Sequence, residues 1–352
     1  RPVSPSFSTS PNDPIPMTLA ERLAAYLSRT RGAPVRVENL ARISGGASRE
    51  TYRYEAVADG AREGFILRRD PPGSLIETDR RLEFLAIRSF AGKDVAAPEA
   101  VVLEIDGAEL ERPFFIMRRV DGGAAGSPFT ADPFGAHAGA IGEQFFSLLG
   151  RIAREPLAGL AILEAATPPA PGDCWRRELD YWAAVIDADE QHPQPIVRAA
   201  IRRLRRQPPP PAQRISVVHG DYRAGNFLHD GAGRILAILD WEMAHLGDPL
   251  EDLGWAMDPL WSHPADGRIS GMVTRDEVLA IWRAASGLKV DPEAMAWWSL
   301  FASVKGQAIW TSAAKEWRDG GFAEPILAFS GWYTARRQDE ILADRLAAMG
   351  PA

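Results

Sequence analysis

The sequence predicts an α+β chain of two lobes, a small and mainly β N-terminal lobe followed by a larger, mainly helical one. Three observations carry this. Five runs of strand character and an inserted helical pattern fall within the first 120 residues. After Asp121-Gly122-Gly123 the apolar residues recur at helical spacing instead. Among those helices, Phe227-Leu228-His229 and Ile235-Leu236-Ala237-Ile238-Leu239 flank Asp230-Gly231-Ala232-Gly233, a strong hairpin signal.

Residues 1–16 are rich in Pro, Ser and Asn without periodicity, which predicts a disordered arm. A helix opens at Thr18, with Glu21 completing a capping box and Leu19, Leu23, Tyr26 and Leu27 on one face. Strands are expected around Val35 and Val37, over Tyr52 to Val57, and over Phe65 to Arg69. A helix over Leu75 to Phe90 follows, then strands over Val101 to Ile105 and Pro113 to Val120, with Asp106-Gly107 turning between them. Residues 17–120 thus read as one lobe and 121–352 as the other. In the second, Ile141, Phe145, Leu148 and Ile152 mark a helix, as do Trp175, Leu179 and Trp182. Thr274 and Glu277 form another capping box, ahead of Val278, Ile281, Trp282 and Ala285. The Pro208 to Pro211 run ends a helix just before the apolar stretch of Ile215, Val217 and Val218. There is no internal repeat.

At 352 residues the chain is long enough for two lobes with cores of their own, and 46% hydrophobic with 25% charged residues is ordinary globular composition. A net charge of −7 argues against nucleic acid as a partner. Cys174 is the sole cysteine, so no intramolecular disulfide forms, as suits a reducing compartment. No run reaches the eighteen or so apolar residues of a membrane span, and the N-terminus lacks a signal-peptide core. A cytoplasmic chain without a membrane partner is expected. Neither zinc-type ligand spacing nor a Gly-x4-Gly-Lys-Ser/Thr loop occurs.

The chemistry concentrates in His219-Gly220-Asp221-Tyr222-Arg223-Ala224-Gly225-Asn226 and in Asp240-Trp241-Glu242. An Asp, an Asn five positions on and an Asp fourteen further are the parts phosphoryl transfer needs. One carboxylate orients and deprotonates an acceptor hydroxyl, while the Asn and the second Asp hold Mg²⁺, which favours such hard oxygens. Each of these residues alone could simply cap a turn or end a strand. A hairpin that returns Asn226 toward Asp240 favours the metal cluster.

Val218 to Arg223 with Asn226, Leu239 to Glu242, and Leu246-Gly247-Asp248-Pro249-Leu250-Glu251-Asp252-Leu253 together resemble the aminoglycoside phosphotransferase and choline kinase family. The branch resembled is that of the kinase-like domains associated with acyl-CoA dehydrogenases. The resemblance implies a bilobal protein-kinase-like fold that binds ATP. It implies Asp221 as catalytic base, Asn226 and Asp240 as Mg²⁺ ligands, and Asp252 as a buried acid bracing the catalytic loop. Glu242 and Asp248 match the family pattern without a defined role.

ATP is expected in the cleft near Met117 and Arg119, where the chain crosses between lobes. Ser44-Gly45-Gly46-Ala47-Ser48 could bring backbone N–H groups of Gly45, Gly46 and Ser48 to phosphates, or be a plain hairpin turn. Alternation in Phe65 to Arg69 puts Ile66 and Arg68 on one face, against adenine and phosphates respectively. A kinase usually has lysine here, so Arg68 is a departure, and Arg69 competes for the role. Glu83 would pair with the arginine, or else be a solvated helical acid. His219 reads as a structural hydrogen-bonder, His245 stays unassigned, and Arg198 to Arg206 reads as a solvated helix face. Trp297, Trp298, Trp310 and Trp317 are expected in the core, and as lining for an acceptor pocket.

Gly247-Asp248-Pro249 follows Asp240 too closely to leave room for a peptide-docking segment. A small-molecule hydroxyl is therefore the expected acceptor. Residues 251 onward carry 14 acids and 10 bases without a dense acidic run, which does not support a pocket for a polycationic aminoglycoside. The branch resemblance raises hydroxyacyl-CoA acceptors instead. A nucleotide-binding pseudokinase or regulatory module is the alternative, favoured by Arg68 and opposed by the intact Asp221, Asn226 and Asp240.

Overall fold

The structure, a computed structural model, describes residues 17–43, 50–70, 79–126, 130, 132–262, 267–320 and 324–350. The expected arm at 1–16 and the Gly45, Gly46 and Ser48 loop lie outside these residues.

Helix α1 (Leu19–Arg31) carries the Thr18–Glu21 capping box and ends at Gly32 in the left-handed conformation (φ 71°). Five strands follow: β1 (Arg36–Arg42), β2 (Glu50–Ala58), β3 (Ala61–Arg69), β4 (Ala100–Glu104) and β5 (Phe114–Arg118). They form an antiparallel sheet in the order β1-β2-β3-β5-β4. Alternation decides its two faces. Tyr54, Phe65, Leu67, Phe114 and Ile116 pack with Leu23 and Tyr26 of α1 into one closed cluster. Ile66 lies opposite Met117, and Arg68 opposite Phe115, on the other face.

Helix α2 (Arg80–Ser89) starts later than the expected position 75. Asp79 takes extended backbone and accepts the N–H groups of Arg81 and Leu82, so the helix begins after it. Phe84, Leu85, Ile87 and Phe90 bury their side chains in the main cluster of the larger lobe, not in the α1 cluster.

The larger part is mostly helical. Its helices are α3 (Ala138–Arg154), α4 (Cys174–Asp189), α5 (Pro195–Arg206), α6 (Leu250–Ala256), α7 (Arg275–Ser286), α8 (Pro292–Asp319), α9 (Pro325–Phe329) and α10 (Ala335–Ala348). A π-helical turn, Ser330–Thr334, joins α9 to α10, and the Thr274–Glu277 box caps α7. The short strand β6 (Ala124–Ala125) pairs with β8 (Phe227–His229), which pairs in turn with β9 (Ile235–Ile238). Another ladder joins β7 (Ser216–Val218) to β10 (His245–Gly247), and β11 (Arg268–Ile269) pairs with β12 (Val273–Thr274). A small β-rich part and a larger helical part make the bilobal kinase-like fold. Among the described residues, no helix is long and apolar enough to cross a membrane.

Helix α8 is buried on nearly every side over its first 22 residues. Trp297 and Trp298 point into its core contacts, stacking or edging on Phe301. The expectation that they line an acceptor pocket therefore fails for these two, because Nε1 of each is spent on Leu204 O and Asp248 Oδ2. Trp317 is exposed near the end of the helix, and Trp310 borders a cavity with Gln307 and Thr311. The arginine-rich face of α5 pairs outward, Arg198 with Glu190 at 2.8 Å and Arg205 with Asp180 at 2.9 Å.

Candidate active site

One loop, residues 219–226, joins β7 of the two-strand ladder β7–β10 to β8 of the hairpin β8–β9. Its sharp entry depends on Gly220 (φ 84°), where any Cβ would collide with the carbonyl of Met243. Asp252, at the start of α6, accepts the N–H of His219 at 2.6 Å and that of Gly220 at 2.9 Å. A single carboxylate thus fixes the loop's entry. Burial lifts its pKa to about 6, foremost among its influences, with Glu251 adding to the rise.

His219 is fully buried, and its ring nitrogens have opposite duties. Nε2–H donates to Leu239 O at 2.9 Å, while Nδ1 accepts the N–H of Asp221 at 3.2 Å. Only the neutral imidazole can do both. Burial pulls its pKa down to about 4, in agreement with that tautomer.

Asp221 is held from three directions. Trp255 Nε1 donates at 2.8 Å, Asn226 Nδ2 at 2.6 Å, and Arg223 Nε reaches both carboxylate oxygens at 3.1 and 3.2 Å. Burial raises its pKa against the opposing pull of Arg223, Trp255 and Asn226. Arg223 in turn lies over the ring of Trp261, 5.1 Å from its centroid, and Trp261 edges onto Trp255.

Asn226 Nδ2 also donates to Asp221 O at 2.8 Å, so both amide hydrogens are used and the side-chain oxygen is the atom left for a cation. Asp240 follows the hairpin in the left-handed region (φ 64°), an uncommon conformation for a non-glycine residue. Its Oδ1 accepts from Arg68 Nη1 at 3.0 Å. A neutral amide oxygen and a carboxylate suit a hard divalent cation such as Mg²⁺, which takes one or two protein ligands. Burial opposes the charge on Asp240, but Arg68 outweighs it and holds the pKa below the usual carboxylate value.

Arg68 crosses from the sheet into this site. Its Nη1 lies 2.7 Å from Glu83 Oε1, and its Nη2 lies 3.0 Å from Glu242 Oε2. Buried among three carboxylates it stays charged, since their attraction outweighs desolvation. Arg69 points the other way, to Glu50 at 2.7 Å and to Leu110 O at 3.1 Å. The alternation read from the strand thus separates the two arginines. Ile66 and Met117 share the cleft face with Arg68. Arg119 turns to Asp121 at 2.5 Å and to Glu55 at 3.6 Å, at the rim of a cavity of about 630 Å³ formed with β1, β2 and residues 120–123.

Asp248 lies deeper, capping α6 through Leu250 N–H and accepting Trp298 Nε1. Both of its oxygens are committed to structure. Several contributing residues escaped the sequence reading: Arg223 and Trp255, which touch Asp221, and Lys305 behind the loop. Trp255 and Lys305 come from distant helices. One signal did mark Lys305, the only charged residue between Glu293 and Lys315.

Residues 39–298 match the phosphotransferase enzyme family. Acyl-CoA dehydrogenase family member 10 of Mus musculus is 28% identical over 214 residues, covering 60% of this chain and 19% of that protein, so the chain spans about a fifth of this relative. An aminoglycoside phosphotransferase-type protein from Ralstonia eutropha superposes with a TM-score of 0.73 at 21% identity, over 92% of this chain and 97% of the other. A thermostable mutant of an aminoglycoside phosphotransferase in ternary complex with ADP and hygromycin B has a TM-score of 0.57 at 15% identity, over 94% and 99%. These superpositions establish the shared fold.

Proposed function

Because the chain belongs to the phosphotransferase enzyme family, we propose that it is an ATP- and Mg²⁺-dependent kinase that moves the γ-phosphate to a hydroxyl of a small molecule. Asp221 orients the acceptor hydroxyl and takes its proton, its raised pKa making it a better base than an exposed aspartate. Asn226 and Asp240 would hold Mg²⁺, which neutralises charge on the triphosphate. Arg68, kept in place by Glu83, reaches the phosphates, and Ile66 and Met117 flank the adenine. His219 is excluded as the base, because both ring nitrogens are already used.

The single observation that carries this reading is the span of Arg68, which ties β3 to Glu83 on α2 and to Asp240 beyond the hairpin. That link puts the arginine where a kinase usually has lysine, which supports the enzyme over the pseudokinase alternative. A cavity of about 320 Å³ between α2, α4 and residues 242–245 is the acceptor side in this proposal. Its wall alternates Asp79, Glu178 and Glu242 with Arg177, His245 and Lys305. Such a balanced lining suits a polycation poorly. The likeness to an acyl-CoA dehydrogenase family member supports a hydroxyacyl-CoA as acceptor; a cytoplasmic location is part of the same proposal.

The test is γ-phosphate transfer from Mg-ATP, read by ADP release and product mass, across hydroxyacyl-CoA esters, aminoglycosides and other hydroxylated metabolites. Phosphorylation of a hydroxyacyl-CoA is the expected result. Turnover with aminoglycosides alone would reject the acceptor class, and none with any acceptor would reject the kinase assignment.

A further inference from the structure

Lys305 is the one charge in the interior of α8, and its side chain is 1% exposed. Burying an ammonium is costly unless it is paired and hydrogen-bonded. Here Nζ donates to Glu251 Oε1 at 2.9 Å and to Gly220 O at 2.7 Å. Gly220 O belongs to the peptide group whose nitrogen is that of Asp221. Nζ also faces the ring of Trp255 at 5.4 Å, the indole whose Nε1 holds Asp221 Oδ1, and the ring of Trp182 at 5.6 Å. One cation therefore touches the backbone beside Asp221 and the ring that orients its side chain.

Behind Lys305, Glu251 accepts from His245 at 3.1 Å, and Glu178 lies 3.5 Å from the same imidazole. Glu178, His245 and Glu251 bring their ligand atoms within 4.8 Å of one another, a spacing a metal ion would accept. Lys305 and the doubly donating His245 already supply the positive charge there, so the cluster closes without one. Glu178, His245 and Lys305 also line the 320 Å³ cavity.

We propose that Lys305 is a positioning residue for Asp221, locking the Gly220–Asp221 peptide and the Trp255 indole so that the carboxylate meets the acceptor in one geometry. This rests on the kinase reading of the site, and Lys305 itself touches no reacting atom. Its loss should cost turnover, not nucleotide affinity.

The test uses the full chain with Lys305→Met, and Lys305→Met combined with Glu251→Gln, which removes both charges of the pair and keeps the interior neutral if the single variant fails to fold. Two measurements are made: kcat and KM for Mg-ATP with an accepted acceptor, and amide hydrogen exchange of residues 219–222. The expected result is a fall in kcat on the order of 10²-fold, the effect of a misplacement near 1 Å, with KM for Mg-ATP unchanged. Exchange at 219–222 should quicken by roughly tenfold or more, as for loss of a hydrogen bond from a charged donor. Native kcat and native exchange in the double variant would overturn the proposal. So would a uniform rise in exchange through the helical lobe, which marks a purely structural lysine. If the native chain transfers no phosphate, the kinase reading falls and the exchange measurement alone decides whether Lys305 fixes the loop.

Discussion

His219 and His245 are both buried, yet the first is neutral and the second carries a positive charge. His219 donates with one nitrogen and accepts with the other, and burial keeps it neutral, with a pKa near 4. His245 donates with both, to Met243 O at 3.0 Å and to Glu251, so it must be an imidazolium. Burial opposes that charge, but Glu178 and Glu251 outweigh it and hold the pKa at about 9. The difference extends to the surroundings. The loop in front, 219–226, is held by the Asp252 carboxylate, the Trp255 indole, the Asn226 amide and Arg223, around the one carboxylate of Asp221. The region behind, with Glu251 and Lys305, is a closed set of charges. The two regions are joined through Lys305, whose Nζ donates from the charged rear to Gly220 O of the loop.

The largest effect should come from the front. Asp221→Asn is expected to lower turnover by about 10²–10⁴ while Mg-ATP binding by calorimetry stays native. Undiminished turnover would mean that the catalytic base is elsewhere. Asp252→Ala strikes the joint between the two regions. It leaves the N–H groups of His219 and Gly220 without their acceptor, at about 1–3 kcal/mol for each in a urea unfolding curve. A loss well under 1 kcal/mol would show that the loop does not depend on this brace.

Smaller effects separate the faces of β3. Arg68→Lys should raise KM for ATP, because an ammonium cannot fork between Asp240 and Glu242 as the guanidinium does. Arg69→Ala should leave ATP kinetics unchanged; if the two phenotypes were exchanged, the strand register would be wrong. The smallest effect is pH-dependent stability. The contribution of His219, whose pKa is lowered, is present above its ordinary 6.5 and lost as pH falls through about 4. That of His245, whose pKa is raised, is present below 6.5 and lost as pH rises through about 9. His245→Gln should therefore flatten the alkaline decline of the thermal midpoint and spare the acid one.

Local signals made most of the architecture legible. The alternation in 65–69 put Arg68 and Arg69 on the correct faces, and the glycine-containing turn after His229 located the hairpin that approaches Asn226 to Asp240. The capping boxes at Thr18 and Thr274 both formed. The start of α2 was misread, since the apolar pattern said nothing about the extended backbone of Asp79. Trp297 and Trp298 fill the core as expected, and only the added pocket-lining role does not follow, because an indole looks the same in sequence whether it lines a pocket or fills a core. Trp255 and Lys305 were invisible as partners of the catalytic loop, since hydrogen bonds across 34 and 85 residues follow from tertiary packing alone.

The placement of α2 has a mechanical consequence. Its apolar side belongs to the core of the helical lobe, and Phe90 sits 5.1 Å from Trp241, directly after Asp240. The β-sheet with α1 has its own separate cluster. Helix α2 therefore belongs by sequence to the β-rich part and by packing to the helical one, and Phe115 of β5 joins it in the main cluster. Any displacement of the sheet relative to α2 would have to stretch the 2.7 Å pair between Arg68 and Glu83.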